Sequence, residues 1–286
     1  MGEIIDGKIL SMQIKDELKV RNAEFEKKFG RKIKLAVVLV GENPASKVYV
    51  RNKIKAAEYI GIESLSFYLP EDAEEDEVLK LVKTLADDSS VDAILVQLPL
   101  PAHISEEKVL DIIPVEKDVD GFSDRNVGKL TLGKECIAAC TPEGIIELLK
   151  SKNIELTGKN AVVIGRSNIV GKPIALLLLR ENCTVTVCHS KTVGLKEICK
   201  EADIIVAAIG KPEFVKADMV KEGAVVIDVG INRTENGLKG DVDFLSVRDK
   251  ASFITPVPGG VGPMTIAMLM KNAILCAERR ESRNGL

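Results

Sequence analysis

Short runs of β-branched and aliphatic residues alternate with longer amphipathic segments along the first hundred positions. Apolar blocks at "IKLAVVLVG" (33–41), "ESLSFYL" (63–69) and "VDAILVQLPLP" (91–101) are separated by a helix-periodic segment at 44–60 and an acidic one at 74–88. This is βαβαβ spacing, and near-continuous apolar strands of this kind belong to a parallel sheet covered on both faces. A helix from about Lys8 to Phe29 precedes them. The pattern restarts after a loop-rich segment, Pro114 to Cys140. Thr141-Pro142 reads as an N-cap followed by proline at the first helical position, opening a helix to about Lys152. Strands at 159–165, 183–190, 202–210 and 223–230 follow, with helices from Val170 and near 194–201. A last helix, from about Met264 to Arg280, comes after "PVPGGVGP" and is expected to return to the first domain. The expected fold is α/β with two open domains, residues 1–140 completed by the C-terminal helix 264–286, and residues 141–263.

Composition narrows the function classes. A chain of 286 residues suits two domains of ordinary size. A net charge of −3 with no Lys/Arg block leaves no footprint for nucleic acid. The longest aliphatic block, Ile174 to Leu179, is too short to span a bilayer, and the N-terminus lacks a basic region followed by an apolar core, so no membrane segment is expected and the chain reads as cytoplasmic. The six cysteines form no C-x-x-C pair and the histidines are only His103 and His189. Reduced structural thiols are expected, and no metal. No G-x-S-x-G elbow appears.

Candidate chemistry begins at "VVIGRSNIVGKPIALLL". A strand runs into Gly165, and Gly171 opens a helix, a place where backbone amides and the helix dipole suit phosphate. Ser167 stands where the middle glycine of a standard dinucleotide fingerprint would be, and Pro173 where a P-loop needs Ser or Thr. A tight strand-to-helix turn would also account for the glycines. The next strand ends in "TVTVCHSKT", without the carboxylate that holds the ribose 2′-hydroxyl in NAD sites. Ser190 and Lys191, with Arg166, offer instead a seat for a 2′-phosphate, which favours NADP.

Helix 44–60 has one charge out of place. At about 100° per residue Lys47, Arg51, Lys55 and Glu58 gather on one arc, whereas Lys53 projects between Ile60 and Ala57 on the apolar face. A snorkelling lysine is the ordinary reading of such a residue. Tyr49, one turn earlier, makes a second reading attractive: an aromatic wall beside one amine that handles protons. Gln97, ending "VQLPLP", is a neutral acceptor for an ammonium. Asp118 and Asp120 lie in "PVEKDVDGF", where a carboxylate can grip the N–C–N edge of a heterocycle, although loop aspartates are commonly turn formers. The rigid "PVPGGVGPMT" brings free amides close to a flat ligand.

Taken together and in order, "YVRNK", "VQLPLP", "KDVDGF", "GRSNIVGKP", "CHSKT" and "ITPVPGGVGPMT" closely resemble the bifunctional methylenetetrahydrofolate dehydrogenase/cyclohydrolase family, across essentially the whole chain. The resemblance implies two α/β domains with a cleft between them, usually in a homodimer. It implies NADP-dependent oxidation of 5,10-methylenetetrahydrofolate and hydrolysis of the methenyl product to 10-formyltetrahydrofolate. Carried over by motif, Lys53 is the catalytic lysine, Tyr49 the aromatic beside the folate, Gln97 the lysine's partner and Asp120 the pterin anchor. Leu98 and the stretch Pro258 to Ile266, with Gly259, Gly260, Val261 and Thr265, line the folate; Gly165, Arg166, Ser167, Gly171, Ser190 and Ile231 bind the dinucleotide. Two competitors stand beside this. A short-chain dehydrogenase also uses a Tyr-x-x-x-Lys pair, but there the glycine-rich turn precedes it in the chain. A non-catalytic NADP-binding protein would keep the fold without turnover.

Overall fold

The apolar block at 34–40 becomes the central strand of a three-stranded parallel sheet. Lys34–Val40 pairs along its whole length with Glu63–Leu69 and on its other side with Ala93–Val96. Residues 35–40 are all buried, as a strand flanked on both edges and covered on both faces requires. Helix Pro44–Ile60 packs on the first two of these strands, and Val78, Val82 and Leu85 of helix Glu75–Asp87 join Val38, Ile94 and Val96 in one core. Strand 93–96 is much shorter than its apolar block, since Pro99 and Pro101 have no amide to give a ladder. The computed structural model describes residues 1–235 and 237–284.

A second sheet has six strands, all paired in parallel, in the order Glu3–Ile4, Phe253–Ile254, Val225–Asp228, Ile204–Ala207, Asn160–Ile164, Thr184–Cys188. Parallel pairing puts the C-terminal ends of these strands on one edge, where ligands bind in open α/β sheets. The chain divides into two compact units, Met1–Ser11 with Ala139–Thr265, and Met12–Ala138 with the chain from Ile266 onward. The last helix, Val261–Asn284, thus starts in the first of these units and continues in the other. There Arg280 joins Arg31 on the buried carboxylate of Asp92, at 2.8–2.9 Å. Residues 1–11 go with the six-stranded sheet because Glu3–Ile4 pairs with Phe253–Ile254, a strand too short to show a period of two.

One local reading needs correction, and two short helices add to the pattern. Thr141 is not a cap: helix Cys140–Ser151 follows Ala139 without a side-chain cap, and the Thr141 hydroxyl instead pairs with that of Thr265 at 2.8 Å. Proline therefore stands third in that helix. The loop-rich stretch 114–140 also holds a helix, Asp124–Thr131, capped by Ser123. Glu106–Ile112, capped by Ser105, is a further helix the pattern did not announce. Both span only about two turns, too few for a 3.6-residue period to register.

Candidate active site

Helix Pro44–Ile60 starts where its sequence says it should. Asn43 Oδ1 accepts from the amides of Ala45 (2.9 Å) and Ser46 (3.1 Å), with Pro44 at the first helical position. That fixes the rotation of the helix, and so puts Lys53 on its buried face at 8% exposure. Tyr49 is half-buried one turn earlier. Lys53 Nζ donates to Gln97 Oε1 at 3.0 Å, the partnership expected from sequence. Gln97 is itself held at both ends: its amide donates to Val38 O at 2.9 Å, just past the paired strands, and its Nε2 donates to Leu98 O. Leu98 precedes Pro99 through a cis peptide bond.

Asp120 reaches the same unit through a shaped loop. Ile94 pairs with Asp118 in an isolated parallel bridge, which sets the loop against the sheet. The Asp118 carboxylate accepts from the amides of Gly121 (2.9 Å), Phe122 (3.2 Å) and Ser123 (2.8 Å), and from Asn126 Nδ2 (2.9 Å). From the C-terminal helix, Asn272 Nδ2 donates to Val119 O at 3.0 Å. Asp120 is thus pinned on both sides, yet among the described residues no hydrogen bond reaches its own carboxylate. Burial pushes that carboxyl up to about 6; Lys53 pulls it down and Asp118 pushes it further up. Asp118, Asn126 and Asn272 are the residues that sequence reasoning did not separate or find. Asparagines buried in helices carry no distinguishing pattern of their own.

In the other unit the glycine turn is built by close approach. Gly165 has φ 132°, and a Cβ there would overlap the carbonyl oxygen of Ala208. A Cβ on Gly171 would lie 2.6 Å from the carbonyl carbon of Gly165 and 2.7 Å from Arg166 Cα. Neither position accepts another residue without moving backbone. Ser167 Oγ accepts from the amides of Val170 and Gly171, both at 3.2 Å, so two of the amides opening helix Gly171–Arg180 already have a partner. Ile164 pairs with Cys188, so exposed Arg166 and Ser190 each stand two residues beyond the ends of adjacent strands. His189 Nδ1 accepts from Lys191 N, and His103 Nε2 meets Ala73 O, so both histidines serve local turns and contacts. Ile231, 46% exposed, follows strand Val225–Asp228, and a Cβ on Gly262 would lie 3.7 Å from its Cδ1. The same unit holds the turn Pro258, Gly259, Gly260, Val261 to Thr265, where Lys8 N donates to Gly259 O at 3.0 Å. The structure therefore brings Tyr49, Lys53, Gln97, Leu98 and Asp120 together in one unit, and the remaining candidates in the other.

These residues suit a dinucleotide carrying a 2′-phosphate. The glycine turn is a cradle that a Cβ would fill, and the loop after strand Thr184–Cys188 presents Ser190 and Lys191 with no carboxylate.

Comparison with known proteins agrees with this reading. The model of the tetrahydrofolate dehydrogenase/cyclohydrolase catalytic domain matches residues 5–120, and that of the family's NAD(P)-binding domain matches residues 139–281. Bifunctional protein FolD of Agathobacter rectalis is 62% identical over 280 residues, covering 98% of this chain and 100% of that one. FolD of Campylobacter concisus is 59% identical over 283 residues, covering 99% and 100%. Among solved structures, the bifunctional FolD dehydrogenase/cyclohydrolase from Campylobacter jejuni superposes with a TM-score of 0.95 at 52% identity, over 98% of this chain and 100% of that one. The Trypanosoma brucei enzyme, complexed with NADP cofactor and inhibitor, gives 0.94 at 38%, over 98% of both. Two domain models covering most of the chain, relatives matched end to end, and a lysine held by a neutral glutamine lead to one statement: the chain belongs to the tetrahydrofolate dehydrogenase/cyclohydrolase family.

Proposed function

We infer that this chain oxidises 5,10-methylenetetrahydrofolate to the 5,10-methenyl cation with NADP⁺, and hydrolyses that cation to 10-formyltetrahydrofolate. The observation that carries the assignment is the buried Lys53 ammonium, bonded to neutral Gln97 and electrostatically coupled to an Asp120 carboxyl that receives no hydrogen bond among the described residues. NADP⁺, when bound, supplies the hydride acceptor.

The two steps ask different things of the protein. Hydride loss from a carbon between two nitrogens leaves a delocalised cation, so no proton is removed and placement is the main requirement. Tyr49 gives that substrate a flat wall, and Asp120, ionised, accepts from the N–H groups along the pterin edge. In hydrolysis a water oxygen bonds to the cationic carbon and gives up both its protons as it becomes the formyl oxygen; one C–N bond breaks, the departing nitrogen gains one proton and the other leaves to solvent. The Lys53 ammonium gives a proton to the departing nitrogen and, as the amine so formed, takes one from the water-derived oxygen, ending in the form in which it began; Gln97 orients it. In the other unit, the glycine turn at Gly165 and Gly171 seats the dinucleotide, and Arg166 and Ser190 receive its 2′-phosphate. Ile231 packs against it. In this reading the unit of residues 12–138 with the chain from Ile266 onward carries the folate chemistry, and the unit of residues 1–11 with 139–265 carries the NADP site. We assign the active form as a homodimer in the cytoplasm; among the described residues no helix is long and apolar enough to cross a membrane.

The test is to add purified protein to 5,10-methylenetetrahydrofolate and NADP⁺, reading NADPH absorbance before acid quenching and methenyl-folate absorbance after it. NADPH formation with little methenyl species accumulating is expected. No NADPH with either nucleotide would remove the dehydrogenase assignment.

A further inference from the structure

Two buried acids take no part in the chemistry above. Asp228 and Asp241 are 3% and 0% exposed, and among the described residues neither forms an ion pair. Their partners are N–H groups. Asp228, the last residue of strand Val225–Asp228, accepts from the amides of Gly230 (2.9 Å), Asp241 (2.8 Å) and Val242 (3.0 Å). Asp241 accepts from three successive amides, Ile209 (2.7 Å), Gly210 (2.9 Å) and Lys211 (2.9 Å), and from Asn232 Nδ2 (2.9 Å). Burial pushes the Asp228 carboxyl up to about 7, and the neighbouring Asp241 adds to the rise. Buried acids without a cation are costly to a fold, so what they hold in place is informative.

They hold the loops at the C-terminal edge of the six-stranded sheet. Ile231 lies between Gly230, bonded to Asp228, and Asn232, bonded to Asp241. A Cβ on Gly230 would overlap the Asp241 carboxylate, so the chain passes Asp241 at backbone distance. On the other side, Ile209 to Lys211 follow directly on Ala208, whose carbonyl oxygen sits against Gly165. Through these hydrogen bonds, the one that Ala208 N donates to Ile164 O at 2.8 Å, and the close approach of Ala208 O to Gly165, the position of Ile231 is tied to that of the glycine turn. The two follow strands separated by Ile204–Ala207.

We propose that Asp241 and Asp228 are positioning residues of the dinucleotide site: through the amides of 209–211, Gly230 and Asn232 they fix Ile231 relative to the turn at Gly165. This deepens, and rests on, the reading of this unit as the NADP site. Neither carboxylate touches the nucleotide; each acts through backbone that does.

The test titrates NADPH, by its own fluorescence, into the wild-type full chain, Asp241→Asn and Asn232→Ala, with melting temperatures alongside. In Asp241→Asn an amide N–H replaces an acceptor facing backbone N–H groups, and NADPH affinity is expected to fall by about tenfold or more. Asn232→Ala removes one donor at a half-buried position and should lower it about threefold. In turnover the KM for NADP⁺ should rise in both while kcat at saturating nucleotide changes by less than about twofold, the split expected of misplaced binding groups. Wild-type affinity in both folded variants would overturn the proposal. If Asp241→Asn does not fold, Asn232→Ala decides alone. A wild-type chain that fails to bind NADPH would overturn the nucleotide reading, and this proposal with it.

Discussion

Replacing Lys53 with methionine keeps most of the side-chain volume on the apolar helix face and removes only the ammonium. Two consequences follow from the geometry. Gln97 Oε1 loses its donor, and Asp120 loses the one charge that holds its carboxyl, at about 6, below where burial and Asp118 would otherwise put it. The second effect is small at neutral pH. A carboxyl at about 6 is about nine-tenths ionised at pH ~7, and loss of the Lys53 charge moves it upward, so a smaller share is ionised and folate binding weakens modestly. Loss of the group that moves protons in hydrolysis is larger, about 10²–10⁴-fold in rate, or about 2.7–5.5 kcal/mol of barrier. Cyclohydrolase kcat is therefore expected to collapse in Lys53→Met while dehydrogenase kcat falls by less than about tenfold. The assay is direct: methenyl-folate consumption without nucleotide against NADPH production with it, at matched folate saturation. Equal losses in both activities, with folate binding intact, would refute the division of labour.

Three further outcomes follow from the same contacts. Tetrahydrofolate affinity should weaken about tenfold per pH unit below about pH 6, because the anchoring form of Asp120 is the ionised one; Asp120→Asn should bind weakly without that dependence, and calorimetric titration over pH checks both. Asp118→Ala should lower stability by about 2–4 kcal/mol, read by denaturant melts, since four N–H groups lose their acceptor; an unchanged midpoint would show that water replaces the carboxylate. Ser190→Glu should raise the KM for NADP⁺ about tenfold, because a like charge about 4 Å from a phosphate costs about 1 kcal/mol or more; an unchanged KM would remove Ser190 from the 2′-phosphate site.

Most of the strand and helix order could be read from periodicity, because parallel strands buried on both faces form uninterrupted apolar blocks and the long helices show their stripe. Lys53 stood out for the same reason: a charge on a buried face breaks a period. What periodicity could not supply were features set by a distant partner. Strand Glu3–Ile4 exists because Phe253–Ile254 offers it an edge. The Thr141 hydroxyl bonds Thr265 in preference to capping its own helix. Asp228 and Asp241 are thirteen positions apart, and their partners are mostly backbone amides, which every sequence contains.

The pair Asp118 and Asp120 shows why residue type alone could not assign these roles. Both stand in "KDVDGF", two positions apart, and by residue type each suits the role of turn former. The difference lies in the supply of donors. Asp118 faces the amides of the turn it closes and takes four N–H bonds, so its capacity to accept is used by the fold itself. Asp120 points elsewhere, is desolvated enough to raise its carboxyl to about 6, and receives no N–H from the described residues. A carboxylate left in that condition is stabilised by whatever brings donors to it. The N–H groups along one edge of a pterin are such donors, and Lys53 supplies the nearby charge that keeps Asp120 able to accept them.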